Sequence, residues 1–424
     1  MNICYKSSTS DAALDKSRDL IAISIVLSCS MLNFILALLN NNIASVSSGV
    51  VIAAQSILTV AAVGFALWRG IRVRREFMLG ICLWLFLLVA SSIYRHQIGP
   101  AILAGDFNGK VVYDLLLIPI FIALGSTLRG FPARYLHIGY LIAFLVGMAE
   151  IGVPEQFAGT VNPLSYYVNT RGWVAQQVQD DATAEAGFYI GADRPGGSAI
   201  SGSATGHRAG SIFLEPLSLG YFACVLAIGY MQLYRDSLPR MALAAIACAV
   251  LALMADTRVA LMLVGAMLVL SLASKNASSR WSLLIPPLVL LVWLSVYYFS
   301  IIDETENQGD VGLRLSWTFE VLRSSELVLW FLGGLDLTHA NDSAMIAITN
   351  SVGVIGTLAF LYTCSGLLSA RVNCPIVANS ALLYLTTTAM FGGAFLSVKT
   401  AALLGLLIGA AGTGALNAVG RRPA

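Results

Sequence analysis

The sequence predicts an all-α, polytopic membrane protein with about twelve transmembrane helices and two long loops on the outer face of the membrane. Its 424 residues are 57% hydrophobic and only 11% charged, whereas about 25% of the residues in a soluble domain carry a charge. The apolar residues also form runs close to the roughly 20 residues that a helix needs to cross the hydrocarbon core. A water-exposed surface of this size cannot be built from so few charges, which excludes a soluble fold.

Twelve segments are predicted to cross the membrane. They are 20–39, 43–68, 77–94, 111–128, 135–151, 212–234, 241–255, 259–274, 281–302, 343–366, 376–396 and 400–418. The seventh and eighth segments are short, but one helix through both would be about 50 Å long at 1.5 Å per residue, too long for a single crossing. The sequence therefore predicts a hairpin that turns at Asp256, Thr257 and Arg258.

Charge distribution predicts that both termini are cytoplasmic, because lysine and arginine are enriched in cytoplasmic loops. With the N-terminus inside, most of the 25 basic residues fall on the inner side. The first apolar run is long enough to remain as an anchor, so the protein is expected to stay in an inner (cytoplasmic) membrane. The chain then divides into helices 1–5 (1–151), a long periplasmic loop (152–211), helices 6–9 (212–302), a second periplasmic loop with an amphipathic helix (303–342) and helices 10–12 (343–424).

Ionisable residues are nearly absent from the middles of these segments. Those within or beside the segments lie near the predicted outer ends: Asp114, Glu150, Glu215, Asp256, Arg258 and Lys399. An ion-coupled transporter needs such residues near the bilayer midplane. The pattern therefore argues against that class, and it favours a site near the outer interface that an amphiphile could reach with its tail in lipid.

Several kinds of chemistry find no support in the sequence. The seven cysteines include no C-x-x-C pair, and no phosphate-binding loop, dinucleotide fingerprint or metalloprotease motif occurs in a fitting context. We therefore expect no metal, no cofactor and no nucleotide. A net charge of +2 gives no indication of a nucleic-acid partner. Because no nucleotide is expected to supply energy, a substrate would itself have to contain the activated bond that is broken.

Two stretches at the predicted outer face could carry chemistry. The first runs from His207 to Phe222 and places Arg208 and Glu215 where the long loop enters the sixth segment. These residues could instead have only a structural role, since an arginine at a membrane interface extends its charged end to water and Pro216 can start a helix. The second is the turn that contains Arg258, where pairing with Asp256 is the simpler reading.

A third stretch lies in the second long loop. Arg314 opens a segment with helical spacing, 311–322, that is predicted to be an amphipathic helix on the membrane. His339, Asn341 and Asp342 stand just before the tenth segment, where a histidine could equally cap a helix or be solvated. In the first loop, the aromatic residues are expected to pack rather than to stack on sugars: Tyr166, Tyr167, Trp173, Phe188 and Tyr189.

These stretches together resemble the bacterial superfamily of Wzy-type polysaccharide polymerases and O-antigen ligases. The matching motifs, in order, are R-x-G-x-x-F-x-E-P (208–216), D-T-R (256–258), G-x-R-L-x-W (312–317), and G-G followed by H-x-N-D-S and G-x-I-G (333–356). The resemblance covers roughly 205–365 and the overall topology. The chain departs from it at L-E-P, where many relatives have asparagine near the proline, and at H-A-N-D, where H-N is usual.

The resemblance implies a GT-C-like fold and metal-independent, inverting glycosyl transfer from a glycan carried on undecaprenyl diphosphate. It implies a diphosphate clamp of Arg208, Arg258 and Arg314, with His339 as general base and Glu215 and Asp342 behind it. His207 and Asn341 would contact substrate. Arg171 and Arg194 would do so as well; each has fifteen residues between it and a following glycine, a spacing that resembles the loops of the polymerases.

The resemblance leaves three functions open. A repeat-unit polymerase for exopolysaccharide or O-antigen is favoured, with membrane lipid, a chain-length regulator and a flippase as further partners. An O-antigen ligase would use the same chemistry with the lipid A core as acceptor. A flippase or transporter of lipid-linked oligosaccharide would need a charged central cavity.

Overall fold

A computed structural model describes residues 9–98, 109–172, 187–189, 207–274, 279–302, 310–335, 343–366 and 374–416. These residues form α-helices, short 3-10 helices and connecting turns, without a β-strand. The α-helices are α1 (Thr9–Asn42), α2 (Ser48–Arg69), α3 (Arg75–Ile98), α4 (Gly109–Gly125), α5 (Arg134–Gly152), α6 (Pro154–Val161), α7 (Pro163–Arg171), α8 (Pro216–Leu233), α9 (Leu238–Met254), α10 (Arg258–Ser274), α11 (Ile285–Ile302), α12 (Asp310–Ser324), α13 (Leu327–Leu332), α14 (Ala344–Cys364), α15 (Pro375–Phe391) and α16 (Val398–Gly412).

The prediction of a helical membrane protein is confirmed. Six described helices are long and apolar enough to cross a membrane: α1, α2, α3, α5, α8 and α14. Six further apolar helices are shorter: α4, α9, α10, α11, α15 and α16. The number of crossings, the two long outer loops and the orientation of the termini therefore stay predictions.

Burial separates a central group of helices from a peripheral one. In α8, 89% of the most apolar stretch is buried, whereas in α2 only 17% is. Large apolar side chains on α2 such as Ile52, Ile57 and Val60 are exposed. An apolar exterior is stable where the surrounding solvent is lipid, because lipid tails are as apolar as the side chains. The helices α8, α15 and α16 form the buried centre.

The packing of α4 against α16 depends on glycine. A Cβ atom on Gly405 would lie 2.7 Å from the carbonyl oxygen of Ile118, and one on Gly409 would overlap the carbonyl oxygen of Ile122. The two glycines form a G-x-x-x-G pair, which lets helix backbones approach closely in membranes. Residue numbers rise together along the two helices at these contacts, so α4 and α16 run parallel.

We expect Gly409→Leu to separate α4 from α16 and to destabilise the protein strongly, because the added atoms meet main chain that cannot move aside. Overpacking of this kind costs about 1–3 kcal/mol or more. The measurement is the melting temperature in detergent. Gly265→Leu on α10 is the matched control, since no atom lies within 4 Å of a Cβ built there. Equal melting temperatures for the two variants would contradict the prediction.

The first predicted loop is partly helical. The helices α6 and α7 begin with Pro154 and Pro163, in positions where proline favours helix initiation. Asn162 between them adopts a left-handed conformation (φ 46°), and its side-chain oxygen accepts a hydrogen bond of 3.0 Å from the Ser165 amide. The sequence predicted a loop at 152–211, whereas the structure shows that proline here occupies the first position of two short helices.

The two local predictions in the C-terminal half agree with the structure. The chain turns between α9 and α10 at Asp256 (φ 44°) and Thr257. The segment 311–322 lies in α12, where Leu315 is fully buried and Thr318 donates a hydrogen bond of 3.3 Å to the Met390 carbonyl. The helix α12 therefore packs on the end of α15, and its predicted position on the membrane surface stays a prediction.

Candidate functional site

A cavity of about 1200 Å³ lies at the end of the helix bundle where α1 finishes. Its walls come from α1, α2, α4, α7, the starts of α8 and α10, and the segment 391–399. At the opposite end of α1, Asp15 and Asp19 pair with Arg69. Asn40, which bonds to Ser165 on α7, is about 37 Å from Asp15 along the helix at 1.5 Å per residue. The cavity and this ion-pair cluster therefore lie on opposite sides of the bundle.

Five cationic side chains from distant parts of the chain line the cavity: Lys110, Arg171, Arg208, Arg258 and Lys399. Arg208 is fixed by a hydrogen bond of 3.1 Å from its Nε to the Ala255 carbonyl, beside the turn that starts α10. Arg258 is the first residue of α10 and is exposed. Guanidinium groups that line a cavity in this way are suited to bind an anion such as a phosphate.

Glu215 joins two of these cations. Its carboxylate forms an ion pair with Arg171, and its Oε2 lies 3.1 Å from Lys399 Nζ. Ser218 donates a further hydrogen bond of 2.7 Å to Oε2. Burial alone would raise the pKa of Glu215, but the adjacent charges of Lys399 and Arg171, with the Ser218 hydrogen bond, outweigh it and lower the pKa to about 2. Glu215 is thus an anion that holds α7, α8 and α16 together.

Lys399 is the most enclosed of the five cations, with 3% of its surface exposed. Besides Glu215, it donates a hydrogen bond of 3.1 Å to the Phe213 carbonyl. Arg171, in contrast, is partly exposed, and its guanidinium stacks 4.4 Å from the ring centroid of Tyr167. Because Lys399 is fully engaged by protein groups, it stabilises the site, whereas Arg171 also presents a surface to the cavity.

Glu150, near the end of α5, positions the segment that carries Arg208. Its carboxylate accepts hydrogen bonds of 3.0 Å from the Gly210 amide and 2.6 Å from the Ser211 amide. His207 Nε2 lies 3.7 Å from the same carboxylate, and the His207 ring stacks on Phe188 with centroids 4.0 Å apart. Hydrogen bonds from the main chain to this buried carboxyl group are the reason why the irregular segment adopts one conformation.

We expect Glu150→Gln to loosen residues 207–215, because a glutamine amide group would face the main-chain N–H donors that the carboxylate now accepts. Loss of such buried hydrogen bonds costs about 1–3 kcal/mol. Hydrogen exchange in 207–215 should become faster than in the wild type. Glu155→Gln, at an exposed position on α6, is the control, and equal exchange in both variants would contradict the role given to Glu150.

The aromatic residues of the first loop pack, as the sequence analysis expected. Tyr166, Tyr167 and Phe188 are each less than 5% exposed. Tyr166, Tyr167 and Tyr189 also line the cavity, with the Tyr167 and Tyr189 rings in an edge-to-face contact at 5.1 Å. Trp173 lies outside the described residues. The same tyrosines therefore support the fold and form part of the cavity wall.

The predicted site residues divide into three groups. The cavity brings together Arg171, Arg208, Glu215 and Arg258. His207 is buried and is not among the residues that line this cavity. Arg314 belongs to α12, but its side chain lies outside the described residues, as do four whole residues: Arg194, His339, Asn341 and Asp342.

The sequence analysis did not select three cavity residues. Asp114 and Lys399 stood out only as charges near the ends of apolar segments, and that signal could have identified both. Asn33 gave no signal, because a single polar residue within an apolar helix has no pattern of its own. Yet Asn33, Asp114 and Lys399 all line the cavity.

Two of the motif glycines have a packing role in this chain. The helix α13 crosses α14 so closely that a Cβ atom on Gly353 (φ 69°) would overlap the Phe331 carbonyl oxygen. One on Gly333 would overlap the Asn350 carbonyl oxygen. The G-G and G-x-I-G motifs are thus explained by close main-chain contact, and they do not by themselves indicate a site.

Comparison of the chain with models of protein families, with curated proteins and with solved structures finds no match. The function therefore has to be argued from the ordered motifs and from the geometry of the cavity. What the cavity offers chemically is an excess of fixed positive charge beside tyrosine rings and neutral polar groups, at one end of a helical membrane protein.

Proposed function

We propose that the protein polymerises lipid-linked oligosaccharide repeat units at the periplasmic face of the bacterial inner membrane. It would transfer the growing glycan from undecaprenyl diphosphate to the next lipid-linked repeat unit, in exopolysaccharide or O-antigen biosynthesis. The observation that carries the proposal is the convergence of Arg208 and Arg258, fifty residues apart in the chain, with Arg171 and Lys399 on one cavity.

The charge in the cavity suits a diphosphate leaving group. When the bond between the anomeric carbon and the diphosphate oxygen breaks, the electron pair and the negative charge go to the diphosphate. Fixed cations that face this charge stabilise the transition state more than the ground state. Glu215 neutralises part of the charge of Arg171 and Lys399, so Arg208 and Arg258 provide the excess. Arg314 is proposed as the third member of this clamp.

Glu215 is suited to hold cations and poorly suited to accept a proton. A carboxylate with a pKa of about 2 is a weak base, and an efficient general base has a pKa near the working pH. The proposed base is therefore His339, with Asp342 and Asn341 beside it. Arg194, outside the described residues, stays a predicted substrate contact, whereas His207 is buried and does not line this cavity.

The predicted topology is consistent with this proposal. With twelve crossings and both termini cytoplasmic, the fourth and twelfth segments run from the outer to the inner side, and the parallel packing of α4 and α16 meets that requirement. The cavity would then face the periplasm and the Asp15–Asp19–Arg69 cluster the cytoplasm.

Reconstitution tests the proposal directly. We expect protein in liposomes with undecaprenyl-diphosphate-linked repeat units, and no metal or nucleotide, to produce a ladder of longer glycans on the carrier lipid and to release undecaprenyl diphosphate. Transfer that occurs only after lipid A core is added would indicate the ligase. Movement of the donor across the bilayer without transfer would indicate the flippase and contradict the proposal.

A further inference from the structure

One wall of the cavity differs in chemistry from the cationic side. The helices α1, α2 and α4 contribute the uncharged polar groups of Asn33, Gln55 and Ser56, and α4 adds one cation and one anion a single turn apart, Lys110 and Asp114. The helices α2 and α4 are neighbours at this wall, because Thr59, one turn after Gln55, bonds at 3.0 Å to the hydroxyl of Tyr113, the residue before Asp114. These residues form what we call the α1–α2–α4 wall.

Asn33 on this wall lacks a partner among the described residues. Its side chain is 5% exposed, and its Oδ1 accepts no hydrogen bond from any described residue. A buried amide oxygen without a donor costs about 1–3 kcal/mol. An orphaned acceptor that lines a cavity is explained if a ligand donates to it.

Asp114 has a charge partner but no close contact. It is half-buried on the apolar helix α4, where Lys110 one turn earlier offsets its charge, and among the described residues it makes neither a hydrogen bond nor an ion pair within 4.0 Å. Because Lys110 and Asp114 offset each other, this wall carries little net charge and is less suited to a diphosphate than the side with the arginines. Carboxylate and amide oxygens accept hydrogen bonds from hydroxyl groups, and the amide nitrogens of Asn33 and Gln55 donate to them.

We propose that the α1–α2–α4 wall is a carbohydrate subsite, in which Asn33 and Asp114 bind hydroxyl groups of a sugar ring. The inference rests on the proposed function, because it assigns the two halves of one substrate to the two halves of one cavity. The diphosphate binds the cations, and the glycan extends along the α1–α2–α4 wall. A cavity of about 1200 Å³ exceeds the roughly 300–1,000 Å³ of typical small-molecule pockets, so it has room for both parts.

Two probes separate the halves of the cavity. The first is the repeat-unit oligosaccharide released from its lipid by mild acid, and the second is undecaprenyl diphosphate without sugar. Binding of each to protein in nanodiscs is measured by saturation-transfer NMR. We expect Asn33→Leu and Asp114→Asn each to weaken oligosaccharide binding at least tenfold and to change undecaprenyl diphosphate binding less than twofold. Arg258→Ala should do the reverse.

Stability distinguishes a binding role for Asn33 from a structural one. If the amide serves a ligand, Asn33→Leu removes an unsatisfied group, so the melting temperature of the empty protein should stay equal or rise while oligosaccharide binding falls. Asp236→Asn, at an exposed position, is the control for a lost carboxylate.

Oligosaccharide binding that is absent in the wild type, or unchanged in both wall variants, would overturn the subsite. Normal undecaprenyl diphosphate binding in Arg208→Ala and Arg258→Ala would instead overturn the proposed function and leave the subsite standing.

Discussion

Alanine in place of Arg208 or Arg258 is expected to lower the rate of glycan transfer by about 10²–10³-fold, the effect of removing one preorganised donor from a developing oxyanion. Both guanidinium groups line the cavity next to the starts of transmembrane-type helices. Their contribution is greatest when the diphosphate carries its full charge, so the turnover number should fall more than the affinity for the lipid-linked donor. The measurement is single-turnover transfer in liposomes.

Two further variants test this expectation about the rate of transfer. Lysine at the same positions keeps the charge but loses the planar fork, so Arg258→Lys should retain an intermediate rate. Arg323→Ala, at an exposed position on α12 outside the cavity, should transfer at the wild-type rate. A normal rate from both Arg208→Ala and Arg258→Ala, in protein with an unchanged melting temperature, would remove the basis for a diphosphate clamp.

Loss of the Glu215 carboxylate is expected to cause the largest fall in stability. Glu215→Gln leaves Lys399 buried with only the Phe213 carbonyl and a neutral amide as partners. Breaking a buried pair in this way costs about 3–5 kcal/mol. Lys399→Met should cost less, because Glu215 keeps Arg171 as its partner. The double variant should recover part of the loss, since it leaves no unpaired charge in the interior.

The pH dependence of this effect follows from the pKa of Glu215. Because the folded protein lowers the pKa from 4.5 to about 2, the carboxylate stabilises the fold fully above pH 4.5 and loses that contribution as the pH falls toward 2. The difference in melting temperature between wild type and Glu215→Gln should thus be constant from pH 5 to 8 and shrink below pH 4.5. Glu320→Gln, on the exposed side of α12, should show no such trend. At neutral pH, equal melting temperatures of Glu215→Gln and Lys399→Met would contradict the expectation that loss of the carboxylate costs more stability than loss of the lysine.

Composition and apolar periodicity were sufficient to predict the class of fold. The excess of apolar residues dictates a helical membrane protein, and the length argument at 241–274 correctly required a turn near Asp256. The helices α6 and α7 were missed because they are shorter than a crossing and contain the prolines that mark loops. Local sequence patterns therefore predict the structure that each segment can form by itself.

The candidate site was predictable only in part. Arg208 and Arg258 were selected from local context, and the cavity contains both. The pairing of Glu215 with Lys399 joins residues 184 positions apart, and no local signal encodes a contact of that range. Asn33 illustrates the other limit, because its missing partner becomes visible only when the surrounding helices are in place.

The glycine seam between α4 and α16 has a consequence for the cavity above it. Asp114 stands near the start of one helix and Lys399 near the start of the other, and main chain touches main chain between Ile118 and Gly405 just beyond them. This main-chain contact fixes the distance between Asp114 and the Glu215–Lys399 pair on the opposite side of the cavity, with no side chain between the two helices that could be compressed. A donor that contacts the α1–α2–α4 wall while its diphosphate binds the arginines has to match this distance, so glycans longer or shorter by one sugar should be distinguished by fit.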